Sequence, residues 1–416
     1  MKTFNKNLLW ASITAVALTG CGGGSGGSGS SDGGGGDHEH SILVSQLGAE
    51  TLSLLKEGEL EDLHFDVNGT NKAAGEGATL ILSETGAYAA VYTPDTNIVN
   101  FVHGLHDHDD EEGEDEGEDE GDHEEPHVLE HTVDGSQVIT TNGHFAILDK
   151  TTGTTTFVED HALEEKNPDT KPTSSLSASQ TYPALMIDEG HDDEPDLVMV
   201  FAEGKATVYK GLESENSFDC KNPTSHGQID GLVVVTCDES AIAVVIGEDD
   251  EGKDTFTRST LTLAGNDEKY VWRAGGHVIV GFEPDTKNYA IIELEDDSVD
   301  VSNPFDFAEN ICDMQLDSEV QDILSMTLGG TFVALDHEGA ELKSIEFDFS
   351  ATSTCDDFIM APAAQTAIVV DNSAQKGYEL DVEDSSTTYH LHEDFDLDVS
   401  DITSMVIFHE KDHEDE

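Results

Sequence analysis

The sequence predicts an all-β fold, and three observations predict it. First, short apolar runs rich in β-branched residues recur from about Ser41 onward, among them TLILS, YAAVYT, NIVNFV, LVVVTC, AIAVVI and TAIVVD. Gly, Asp and Asn turns separate them, and their length and composition suit strands rather than helices. Second, no long stretch carries a 3.6-residue apolar period; TLSLLKEGEL reads either as one helical turn or as a further strand. Third, a phrase of apolar strand, Asp- or Gly-rich turn and short polar strand repeats, in HFAILDKTTGTTTFV, DLVMVFAEGKATVY, NYAIIELEDDSV and TFVALDHEGAELKSI. Its irregular period of roughly 40 to 55 residues is that of β-propeller blades with unequal loops. Seven blades fit the length best, with six or eight as alternatives. A pair of β-sandwiches is the competing architecture.

Taken in order, residues 1–20 read as an export signal. Lys2 and Lys6 give a basic start, and LLWASITAVAL is an apolar core too short to span a bilayer. LTGC follows, with Cys21 where bacterial lipoprotein signals are cut and acylated, so a lipid on Cys21 is the expected anchor. Gly22 after the cysteine directs such proteins by convention to the outer membrane, facing the periplasm. Residues 21–40 form a Gly/Ser tether ending in DHEH. Residues 41–416 are expected to be a single propeller domain.

The chain carries 89 acids against 18 bases, a formal net charge of −71. Nucleic acid is excluded as a partner, because phosphate binding needs a basic surface. An anionic membrane surface repels the chain too, which leaves the lipid as the only membrane contact. Acidity of this kind keeps a surface hydrated and monomeric; it does not explain clustered histidines. Four cysteines besides Cys21 suit an oxidising compartment. Of the three possible pairings, proximity in sequence favours Cys220–Cys237 and Cys312–Cys355. A Cys₄ zinc site is the rival, but no CxxC pair is present.

The segment 103–127, HGLHDHDDEEGEDEGEDEGDHEEPH, holds five histidines and fourteen carboxylates without a lysine or arginine. It lies between NIVNFV and the strand that starts near Gln137, and so reads as an inserted loop. Mutual repulsion and the lack of apolar residues predict disorder from Asp109 to Glu125 without a counterion. A merely solvated charge run is the plain alternative. The imidazoles at both ends argue against it, since histidine nitrogens bind zinc and carboxylates complete such sites. His106 and His108 form an HxH pair with His103 just upstream. His127 and His131 lie four apart at the far end, weaker evidence if that stretch is a loop. His38 and His40 repeat the pattern, as do His390 and His392. Calcium fits less well: the loop lacks the D-x-[DN]-x-[DN]-G spacing, and imidazoles add nothing to a calcium site.

Several phrases resemble the AztD-type periplasmic zinc metallochaperones: NIVNFVHGLHDHDD, EPHVLEHTVDGSQVITTNGHFAIL, CKNPTSHGQIDGLVVVTCDESAIAV and AGGHVIVGFEPDTKNYAIIEL. The likeness runs from about Leu43 to Ile407. It implies a β-propeller that binds zinc ions and passes them to the solute-binding protein of a zinc ABC importer. It matches His103, His106 and His108 to the family's histidine loop, His127 and His131 to its second block, His226 to an HG step, and, more weakly, His277 to a later blade. For His226 and His277 the plain alternative is a structural histidine in a blade. The loop here is longer and more acidic than the family's, CDES replaces a CEDG-like sequence, and the lipid anchor differs from a diffusible carrier. Two other classes compete. One is a surface propeller that binds protein or glycan partners, with the loop serving solubility. The other is a metallohydrolase, for which HExxH, GxSxG and a base beside the histidines are all missing; the expectation is therefore no enzyme.

Overall fold

The computed structural model describes residues 41–408, except 48, 50, 57–58, 64–76, 94–96, 105–125, 165–169, 174–175, 177–178, 188–196, 250–252, 296–297, 318–320, 348–352, 364, 383–388 and 399–400. The export signal, Cys21, the tether with His38 and His40, and the loop region predicted to be disordered all lie outside the described residues.

Eight four-stranded antiparallel sheets make a β-propeller. The count is eight blades, not the seven that length favoured. Seven sheets use strands consecutive in the chain, and their innermost strands begin at Thr79, Gln137, Gln180, Ser225, Val271, Ile311 and Phe358. We number these blades 1 to 7. Innermost strands stand beside those of neighbouring blades around a central axis. Blade 8 closes the ring: its innermost strand is Ile402–Phe408, and its outer three are Ser41–Gln46, Ser53–Lys56 and Glu59–Asp62. TLSLLKEGEL is therefore parts of two strands and no helix.

Second strands are buried along most of their length, as in LVVVTC of Leu232–Cys237 and TAIVVD of Thr366–Asp371. Outer strands such as Asp254–Thr260 alternate polar and half-buried positions, as one water-facing edge requires. Blade faces pack on their neighbours through apolar side chains. Leu43 and Ile407 of blade 8, Leu80 of blade 1 and Ile368 of blade 7 share one cluster, and the closing seam is thereby buried. Each such side chain contributes about 1.5–3 kcal/mol. Both expected disulfides form. Cys220–Cys237 joins the exit of blade 3 to blade 4, and Cys312–Cys355 joins blade 6 to the entrance of blade 7. Reducing Cys220–Cys237 is expected to lower stability by about 2–4 kcal/mol, which a urea unfolding midpoint with and without reductant measures.

The turns after first and third strands all lie at one end of the ring. The strands that open at that end flank the sequences 188–196, 250–252, 296–297 and 383–388, each with at least two acids, as well as 105–125. Phe408 ends its strand there, and Ser41, paired with it, begins there.

Candidate metal centre

The acidic loop leaves blade 1 at His103, the last residue of strand Ile98–His103, and returns at His127, the first of strand His127–Asp134. The two histidines pair directly across the ladder. Their rings meet edge to face with centroids 5.4 Å apart. Tyr88, on the neighbouring strand Tyr88–Tyr92, stacks on His103 at 4.9 Å and buries it to 7% exposure. These contacts fix the imidazole in a dry, aromatic corner at the root of the loop.

His131 lies on the same strand as His127, not in a loop, and stacks on Phe101 at 6.0 Å. In a strand, residues four apart share a face, and Phe101 and His103 share that face too. Burial depresses the His131 pKa, and its Nε2 is enclosed with no hydrogen bond among the described residues. Below the loop, Gly104 donates its N–H to the carbonyl of Ala87 at 2.8 Å. A Cβ at Gly104 would lie 2.4 Å from the Phe408 ring, so only glycine admits this crossing. His106 and His108 lie outside the described residues.

The other two matched histidines are elsewhere. His277 is exposed in the first turn of blade 5. His226 sits on the innermost strand of blade 4, Ser225–Ile229, within a polar belt around the axis. Its Nδ1 shares a hydrogen bond of 3.1 Å with the Tyr182 hydroxyl of blade 3, and its ring also bonds the backbone of Thr140 in blade 2. Blades 2 and 3 thus both bond the ring. Burial, opposed by the bond to the Thr140 backbone and aided by the Arg273 charge, pushes the His226 pKa down to about 4. A group neutral in the fold and ordinary when unfolded adds stability above about pH 6.5 that is lost as pH falls towards 4. A histidine proton titration by NMR is expected to show His226 protonating near pH 4. A midpoint near 6.5 would contradict this environment.

The belt continues through blades 5 and 6. Arg273 donates from Nε to the Gln315 side chain at 2.9 Å and lies 3.9 Å from the Asp313 carboxylate. Burial lowers the arginine pKa and raises that of the aspartate, each opposed by the other's charge. Thr141 of blade 2 and Gln228 of blade 4 both bind the carbonyl of Met186 in blade 3. Sequence reading missed Tyr182, Arg273 and Asp313. The available signal was a lone charge inside an apolar strand, as in VWRAG and ICDMQL.

Among the described residues, no group of three or more His, Cys, Asp or Glu stands close enough to hold a metal ion. His103 and His127 are brought together; His131 shares their face; His226 and His277 stand on other blades. On the outer strand of blade 7, His392 lies 3.1 Å from the carboxylate of Asp381 on the adjoining strand.

No family model matches the chain, and no curated protein does. Among solved structures it is similar to apo AztD from Citrobacter koseri, with TM-score 0.64 and 13% identity, covering 88% of this chain and 97% of that one. A second structure of Citrobacter koseri AztD aligns with TM-score 0.61 and 14% identity over 90% of this chain and 99% of that one. The chain therefore has the β-propeller fold seen in Citrobacter koseri AztD.

Proposed function

We propose that this chain is an extracytoplasmic zinc carrier that captures the ion at the root of its acidic loop and passes it to the solute-binding protein of a zinc ABC importer. The observation that carries the reading is the His103–His127 pair. Two imidazoles bound to one tetrahedral zinc at about 2.0 Å hold their centroids about 5 Å apart, and these stand 5.4 Å apart. His106 and His108 follow directly in sequence and are the natural source of further ligands, with His131 on the same face. His226 serves the belt and acts indirectly, and His277 has a surface position open to a transient contact. The shared fold of AztD and the sequence phrases above support the same reading.

A carrier has to withhold its cargo and still release it on contact. Two imidazoles fixed on strands, completed by ligands from a loop, meet both needs, because the loop ligands can be exchanged one at a time with a recipient. Concentrated carboxylates at that end raise the local cation concentration. Protons compete for the same imidazoles, so affinity falls as pH falls. Lipid at Cys21 would hold the carrier at the outer membrane on the periplasmic side. Catalysis is not part of this reading. A surface propeller for protein or glycan partners is the alternative, and tight stoichiometric zinc binding would count against it.

The test mixes zinc-loaded protein with a zinc-free solute-binding protein in excess chelator. Carriage predicts transfer that depends on recipient concentration and outruns spontaneous release to the chelator. Transfer no faster than that release would mean sequestration only.

A further inference from the structure

We infer that the belt on the propeller axis is a binding site for a small zwitterion of the amino-acid class, its carboxylate on Arg273 and its ammonium on Asp313. The inference stands apart from the zinc reading. The eight innermost strands are TLIL, QVITT, QTYPALMI, SHGQI, VWRAG, ICDMQL, FIMAPA and ITSMVIF. They hold one arginine, one aspartate and His226, which burial keeps neutral, and every other position is uncharged. In a chain of net charge −71, one cation and one anion are thus set together where the ring surrounds a central channel.

The two charges serve each other poorly. Arg273 Nη2 lies 3.9 Å from Asp313 Oδ1, beyond hydrogen-bond length. Of the five guanidinium N–H donors, Nε reaches Gln315 and one on Nη1 reaches the carbonyl of Trp272. The other three meet no acceptor among the described residues. Asp313 accepts from the Met314 backbone at 2.8 Å on one oxygen and from Gln315 at 3.0 Å on the other, and each oxygen keeps a further lone pair. A desolvated ion pair repays its cost only when its geometry is close and its remaining donors and lone pairs are served. Here 19% and 12% of the two side-chain surfaces stay open, so a small molecule in the channel touches both.

The surroundings favour a zwitterion over a simple anion. A carboxylate takes two parallel N–H bonds from a guanidinium. Burial, then Tyr92, raises the Tyr182 pKa, and the Arg273 charge opposes them from two blades away, which brings that hydroxyl to the same space. Burial also raises the Asp313 pKa against the pull of Arg273, so a second cation at close range is favourable there. The field of the chain repels a net anion, whereas a zwitterion carries no net charge.

The experiment adds glycine, L-alanine, acetate or methylammonium to the chain from residue 41 and follows the His226 ring signals by NMR. Arg273→Met with Asp313→Leu, and separately Tyr182→Phe, are the variants. Glycine and alanine are expected to move the His226 signals saturably in the millimolar range. Acetate and methylammonium, each lacking one charge, should need at least about ten-fold more. The double variant should bind zinc as the parent does and show no response to glycine, and Tyr182→Phe should weaken glycine several-fold. No saturable response of the parent to either amino acid would overturn the inference. An equal midpoint in the double variant would overturn it too, by placing the ligand elsewhere. Acetate as effective as glycine would reduce the site to one for an adventitious ion only. If the double variant fails to fold, Tyr182→Phe decides, since it keeps both charges and an unchanged glycine midpoint there would overturn the site.

Discussion

Alanine at His103, His106 and His108 together is expected to raise the zinc dissociation constant at least about 100-fold, a loss of ~2.7 kcal/mol or more, and to leave weak calcium binding largely intact. Imidazole nitrogens distinguish zinc from calcium, whereas carboxylates serve both ions. His103 carries most of this expectation, since Tyr88 and His127 hold its ring in place before any ion arrives. His103→Gln, which keeps much of the side-chain volume in that corner, separates ligand loss from loss of packing. A competition titration of zinc and calcium against the parent and both variants checks the result. Full zinc affinity in the triple variant would point to a site built from carboxylates.

The largest expected effect on stability lies on the axis. Asp313→Ala should cost about 3–5 kcal/mol, because it leaves the Arg273 guanidinium enclosed without its counter-charge. Gln315 would keep one hydrogen bond to Arg273 but would lose its own acceptor on Asp313. Replacing both charged partners, Arg273→Met with Asp313→Leu, should cost less than the single change, since no charge is then stranded. Urea midpoints for the single and double variants measure the difference. A single variant within ~0.5 kcal/mol of the parent would show that water reaches the arginine freely.

How much of this was legible beforehand follows from what each segment buries. Middle strands such as LVVVTC announced themselves through continuous apolar runs, and so the all-β propeller was readable. The blade count was not. Fourth strands such as Glu213–Asp219 and Ser298–Ser302 are polar on their outer edge and leave no run to count. Closure of blade 8 by residues from both ends of the chain is a tertiary fact with no local signal. His127 and His131 read as loop residues because HVLEHTVD has too few apolar positions, although its pairing with Ile98–His103 makes it a strand. The cysteine pairs followed from proximity in sequence, since each bridge joins adjacent blades. The belt stayed hidden because Tyr182, Arg273 and Asp313 are single polar residues on different strands, and His226 stood out only as a candidate ligand. Only the ring brings them together.

The central claim is that imidazoles at the root of the loop, and not the carboxylates in its middle, hold zinc. Its most direct test is a zinc titration by calorimetry, in millimolar calcium, of the chain from residue 41 with and without Glu114 to Glu120. Both proteins are predicted to bind zinc stoichiometrically with submicromolar affinity, the shortened one loading more slowly at low zinc and with less sensitivity to salt. Loss of tight zinc binding on removing only those acids, or its displacement by calcium in the parent, would contradict the claim.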